Sequence, residues 1–79
     1  MELKVLYFGM IAEATGCKEE IILLRSGTTI DQLENLLKDK YENLQHLSFK
    51  VAVDKEITAN DTLLNPNNEI ALLPPFSGG

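Results

Sequence analysis

The stretch TIDQLENLLKDKY, residues 29–41, is the only long amphipathic helix this chain offers, and it limits what the other residues can build around it. Ile30, Leu33, Leu36, Leu37 and Tyr41 recur at helical spacing and define one apolar face. Thr29 is placed to cap the helix, and Gln32 three residues later completes a capping box. Asp31 and Glu34 lie near the positive end of the helix dipole, Lys38 and Lys40 near the negative end. Before and after this helix the chain reads as strands: ELKVLYFG at the start, KEEIILL before it, FKVAVD and EIALL beyond it. MIAEATG is a short helical segment with Gly16 as its stop. Asp54-Lys55 makes a tight turn into EIT, and NPNN at 65–68 is a strong turn signal. ENLQHLS is ambiguous and can hold a further short helical turn. Pro74 and Pro75 end the last strand, because neither can donate to a ladder.

The element order is thus strand, short helix, strand, long helix, then two or three strands. One long helix covers one face of a sheet. The expected architecture is an α+β roll of the β-grasp, ubiquitin-like kind, with a mixed sheet of four to five strands and the main helix on one face. Residues 1–73 form that domain, and residues 74–79 are expected to be a flexible tail ending in Gly78-Gly79.

A sheet covered on one face leaves the other open. Alternation puts Leu3, Val5, Tyr7, Phe49, Val51, Val53, Ile70 and Leu72 toward the helix. The opposite set is Lys4, Leu6, Phe8, Lys50, Ala52, Asp54, Glu69, Ala71 and Leu73. It is partly polar, yet Leu6, Phe8 and Leu73, joined by Ile57, make an apolar patch. If the first and last strands run parallel, Phe8 and Leu73 lie at the ends nearest the tail. Such a patch reads as a docking surface for another protein.

Composition narrows the partners. With 12 acidic against 7 basic residues the net charge is −5, and the basic residues are dispersed, which disfavours nucleic acid. No apolar run is long enough to span a membrane, and the opening residues lack the pattern of a signal peptide. Cys17 stands alone, so a reduced, cytoplasmic setting is expected. One His, at position 46, and one Cys offer no metal spacing and no catalytic constellation. Glu19 and Glu20 fall on opposite strand faces and cannot act as a pair.

The reactive candidate is the end of the sequence, LLPPFSGG. Two glycines without Cβ atoms make the thinnest polypeptide, which a partner can enclose in a narrow channel. Six extended residues from Pro74 to Gly79 reach at most about 20 Å. The Gly79 carboxylate, once positioned, is an oxygen nucleophile toward an ATP α-phosphate, and a sulfur donor could then displace AMP. Gly78, Ser77 and Phe76 would thread behind it.

These segments resemble a known family. ALLPPFSGG resembles the C-terminal signature of molybdopterin synthase small subunits, sulfur carriers of the ubiquitin-like superfamily. VLYFGMIAEATG, TTIDQLENLL and VAVDKEI are similar to that family's opening strand and helix, main helix and central hairpin. The resemblance implies that an E1-like adenylating enzyme uses ATP to activate Gly79, that a sulfur donor converts it to a thiocarboxylate, and that the tail enters the large subunit. There sulfur passes to cyclic pyranopterin monophosphate to form molybdopterin. Two small and two large subunits usually make up that assembly. The small subunit binds no cofactor itself, and the catalytic residues belong to the large one. Phe8, Ile57 and Leu73 match family positions that contact the large subunit and the activating enzyme. Ala12, Asp54, the NPNN turn and Phe76 depart from the family's usual residues. Other readings of the same tail are a carrier of the thiamine type, a ubiquitin-like protein modifier, and an interaction module without terminal chemistry.

Overall fold

In a computed structural model that describes residues 1–75, the chain forms five strands and two α-helices. They run β1 (Glu2–Tyr7), α1 (Met10–Thr15), β2 (Glu19–Leu23), α2 (Ile30–Lys40), β3 (Lys50–Val53), β4 (Glu56–Ile57) and β5 (Glu69–Leu73), with a 3-10 turn over Glu42–His46 between α2 and β3. The sheet order is β2-β1-β5-β3-β4. β1 and β5 are parallel, whereas β2 joins β1, and β3 joins both β5 and β4, in antiparallel fashion. This is the β-grasp roll, with the sheet at the five-strand end of the expected range.

Each element follows from local chemistry. The Thr29 hydroxyl accepts from the Gln32 amide at 3.3 Å, and the Gln32 side chain accepts from the Thr29 amide at 3.0 Å, so two of the four orphan donors at the start of α2 are satisfied, while the Ile30 and Asp31 amides donate to the Thr62 and Asn60 carbonyls. α1 stops at Gly16, whose φ of 80° is left-handed and whose amide donates to Ala12. The β3–β4 hairpin turns through Asp54 and Lys55, both at positive φ, as a two-residue turn matched to strand twist requires. Asp54 tolerates this because its carboxylate accepts from the Glu69 amide at 2.8 Å and the Asn68 side chain at 2.7 Å.

The core lies between the sheet and α2. Leu3, Val5 and Tyr7 of β1, Ile70 and Leu72 of β5, and Val51 of β3 meet Ile30, Leu33 and Leu37 of α2, with Ile11 and Leu44 closing the ends. All of these are buried, as the alternation predicts. Two positions depart from the expected faces. Leu36 is exposed: at about 100° per residue it stands a quarter-turn round from Leu37, past the edge of the buried stripe. Glu34 lies nearer the stripe's centre and is half-buried, and that burial pushes its carboxyl above the usual range. Ala52 is buried although it belongs to the open face, where its small side chain lies in register between Ala71 and Ile57.

At one edge of the core, three elements are tied through a single carboxylate. Tyr7 and Tyr41 donate to Glu20 Oε1 at 2.5 and 2.6 Å, and Lys40 donates to Oε2 at 2.9 Å. Burial alone would push the Glu20 carboxyl up, but the hydrogen bonds from Tyr41, Tyr7 and Lys40 outweigh it and hold the group below its usual value. Burial and the same carboxylate push both tyrosines well above theirs. A depressed Glu20 contributes stability that is complete above the unfolded carboxyl value, near pH 4, and is lost as pH falls through the folded value. Glu20→Ala would leave the buried Tyr7 hydroxyl without its acceptor, so a loss of about 2 kcal/mol at pH 7 is expected. In urea unfolding, the gap between variant and wild type should narrow toward pH 3. A constant gap would mean that the carboxylate's charge contributes nothing.

Candidate docking face and strand exit

The residues of the open face line up in register. One row crosses the whole sheet: Glu19 on β2, Leu6 on β1, Ala71 on β5, Ala52 on β3 and Ile57 on β4. The two alanines make a low floor between Leu6 on one side and Ile57 on the other. Phe8 and Leu73 stand two residues further along the parallel strands β1 and β5, side by side at the end where the chain leaves the sheet. Phe8 is 44% exposed and Ile57 58% exposed, while Leu6 and Leu73 are half-buried. A hollow of about 430 Å³ adjoins Leu6 and Phe8 and is completed by Tyr7, Gly9, Ala12, Lys18 and Glu19.

A polar border runs along the other side of the row. Lys4 pairs with Glu19 at 2.9 Å, which holds the lysine above its ordinary value, and Lys4 lies opposite Glu69 in the β1–β5 register. Lys50 lies opposite Leu73 at the far side of the exit. The face therefore has an apolar middle and charged margins, the anatomy of a protein-binding surface.

Pro74 fixes the direction of the exit. Its ring packs against Gly9, where an added Cβ would come within 3.5 Å of Pro74 Cγ. Gly9 itself sits at φ 55° and ψ −131°, a conformation that only glycine adopts without strain, and it starts α1. The chain thus leaves β5 beside the β1–α1 turn, with Phe8 and Leu73 flanking it. Gly9 and the hollow were not legible in the sequence. The one available signal was a glycine directly after an aromatic at a strand end.

Of the residues singled out in the sequence, the fold brings Leu6, Phe8, Leu73 and Ile57 onto one face. Phe76, Ser77, Gly78 and Gly79 lie outside the described residues. Glu19 and Glu20 point to opposite faces and serve separate partners, Lys4 and the two tyrosines. His46 is exposed on the 3-10 turn. Among the described residues no group of His, Cys, Asp and Glu side chains could hold a metal, and no helix is long and apolar enough to cross a membrane.

Fold and face together define a ubiquitin-like β-grasp protein with an apolar sheet face beside its strand exit. The chain belongs to the ThiS family, whose model matches residues 5–79. It is 33% identical to the molybdopterin synthase sulfur carrier subunit of Mycobacterium tuberculosis, over the whole of this chain and 99% of that one. It is 31% identical to the subunit of the same name from Arabidopsis thaliana, over the whole chain and 84% of the relative. Among solved structures, SAMP1 from Haloferax volcanii superposes with a TM-score of 0.85 over all of both chains, and at 20% identity it speaks for the fold alone. The small archaeal modifier protein 1 of Methanosarcina acetivorans is 28% identical with a TM-score of 0.81, covering 99% of this chain and 96% of that one. A chain from the complex of subunits 1 and 2 of the Helicobacter pylori molybdopterin-converting factor is 26% identical with a TM-score of 0.70, over all of both chains.

Proposed function

We propose that this chain is the sulfur-carrier subunit of a molybdopterin synthase, a member of the pathway that builds molybdenum cofactor. Its own reacting group is the carboxylate of Gly79. An E1-like enzyme joins that carboxylate to the α-phosphate of ATP, releasing pyrophosphate and leaving an acyl-adenylate. A sulfur donor then displaces AMP, and the acyl carbon now carries sulfur as a thiocarboxylate. In the large subunit the sulfur passes to cyclic pyranopterin monophosphate, and water returns the carbonyl to a carboxylate. The chain supplies delivery and docking, and the partners supply catalysis.

The observation that carries this reading is the apolar row Leu6–Ala71–Ala52–Ile57 with Phe8 and Leu73 beside the exit at Pro74. A partner seated there would lie directly over the start of residues 74–79. Phe8, Ile57, Leu73 and Leu6 are the contacts for the large subunit and the activating enzyme, and Phe76, Ser77 and Gly78 thread into the partner's channel. Sulfur carrier names among full-length relatives and the two-subunit complex formed by the Helicobacter pylori relative support the assignment.

The likeness to an archaeal modifier favours a second reading, in which the activated glycine is passed to a lysine amine of another protein. Intact-mass measurement separates the two. Incubation with the activating enzyme, ATP and a sulfur source is expected to raise the mass by the difference between one sulfur and one oxygen atom. The gain should vanish when ATP is omitted. A ladder of larger conjugates in cells, with no sulfur-bearing form, would establish the modifier reading instead.

A further inference from the structure

Among the described residues the sheet ends in two edge strands, the two-residue β4 and the five-residue β2. β2 lies at the end of the strand order, and among the described residues nothing pairs with its outer side. Leu24 and Met1 exchange two hydrogen bonds, at 2.8 and 2.7 Å, and the Tyr7 amide donates to Lys18 at 2.8 Å. Antiparallel alternation then makes Ile22–Leu3 and Glu20–Val5 the hydrogen-bonded pairs of the β1–β2 ladder. The backbone N–H and C=O groups of Glu19, Ile21 and Leu23 consequently point outward from the sheet. Natural edge strands are blunted by charged side chains, lysine above all, by proline or by a bulge. EEIIL has no lysine, proline or bulge, its two glutamates are engaged within the fold, Glu19 by Lys4 and Glu20 by Tyr7, Tyr41 and Lys40, and Ile21 and Leu23 are 57% and 73% exposed.

We infer that β2 pairs with β2 of a second copy of this chain, antiparallel and centred on Ile21, to make a continuous ten-stranded sheet. The strand's own sequence favours this occupant, and centring on Ile21, the middle residue of Glu19–Leu23, lets all five residues of β2 pair with the second copy. Centring on Ile21 sets Ile21 against Ile21 and Glu19 against Leu23 of the other copy. All three outward-facing residues then form doubly hydrogen-bonded pairs. Centring one residue earlier sets Glu20 against Glu20 in a non-hydrogen-bonded pair, where side chains stand closest and like charges destabilise a ladder, and it pairs only residues 19–21 of β2 with their counterparts. The chosen register also places Arg25 diagonal to Glu19 of the second copy, twice by symmetry. Beside the seam a hollow of about 550 Å³, lined by Leu23, Leu24, Leu36 and the 25–28 loop, lies open to receive side chains of the other copy. That gives a place to Leu36, which the core leaves exposed. The seam uses the outer edge of β2 and meets the open-face row only at Glu19, whereas the apolar docking residues Leu6, Phe8, Ile57 and Leu73 lie on or just beyond other strands, so the inference stands apart from the sulfur-carrier reading.

The test uses sedimentation of the free protein over a range of concentrations, together with amide hydrogen exchange. A concentration-dependent dimer is expected, in which the Ile21 and Leu23 amides gain protection while the Ile22 amide is protected throughout. Ile21→Lys and Ile21→Glu, each at an exposed position, should fold normally and weaken dimerisation about tenfold or more. Mixing the two variants should restore the dimer, because lysine then faces glutamate at the two-fold axis. A protein that stays monomeric up to about 1 mM overturns the inference. So does a dimer indifferent to Ile21→Lys, a mixture that shows no recovery, or protection of Ile21 and Leu23 that arises only when an extended segment of another protein is added.

Discussion

Adding a single residue after Gly79, or deleting Gly79, is expected to abolish sulfur transfer while leaving the fold intact. An extra extended residue moves the carboxylate by about 3.5 Å. A misplacement of 1 Å at a reacting centre can already cost about 100-fold, and in the proposed reaction the partner's site holds the carboxylate against a nucleotide phosphate. The loss should therefore exceed about 100-fold in thiocarboxylate formation, measured by intact mass, and in molybdopterin formation with the large subunit. The thermal midpoint should not move, because the core closes on Leu72 and Ile70, well before these residues. Gly78→Leu should act in the same way through the width of the channel. If the extended chain still accumulates thiocarboxylate at the normal rate, the reacting group is not the Gly79 carboxylate. If it accumulates conjugates instead, the modifier reading gains.

Much of the fold is legible because two periodicities are clean. Period two in ELKVLY and EIALL separates core from open face residue by residue, and each of Leu3, Val5, Tyr7, Ile70 and Leu72 is buried accordingly. The capping box at Thr29 locates the start of α2 to the residue. β4 is different: two residues carry no period, and only the turn at Asp54-Lys55 announces it. Leu36 illustrates a limit of helical spacing, since an apolar residue at a plausible interval can fall outside the width of the sheet it should cover. The Glu20 cluster is invisible in sequence for another reason. Its tyrosines lie 13 and 21 residues away, and only the pairing of β1 with β2 and the return of the chain after α2 bring them together. The same holds for Pro74 against Gly9. Contacts between residues remote in sequence leave no local periodicity, so the candidate face was legible strand by strand, whereas its hollow and its exit direction were not.

The second large effect belongs to that face. Phe8→Asp is expected to weaken binding to a molybdopterin synthase large subunit by roughly 30-fold or more, the scale of an aromatic anchor at an interface centre. Two physical terms add. The ring's contact area is lost, and a carboxylate must be desolvated in an apolar setting with no cation assigned to it. Folding should suffer little, because Phe8 lies beyond the last residue of β1 and is 44% exposed, so its replacement remains in water in the free protein. Leu73→Asp should behave alike in binding and cost somewhat more stability, since Leu73 is half-buried within β5. Ile57→Asp, at the far end of the row, should have a smaller effect on binding than Phe8→Asp. Asn43→Asp, exposed on the 3-10 turn away from the open face, serves as a charge-matched control and should leave affinity unchanged. Calorimetric titration of each variant, with its thermal midpoint measured alongside, reads both quantities. Affinity that follows the midpoint across the series would make these side chains structural. Affinity that falls for Phe8, Leu73 and Ile57 while the Phe8 and control midpoints hold places the partner over the strand exit, where it can take the last four residues directly from Pro75.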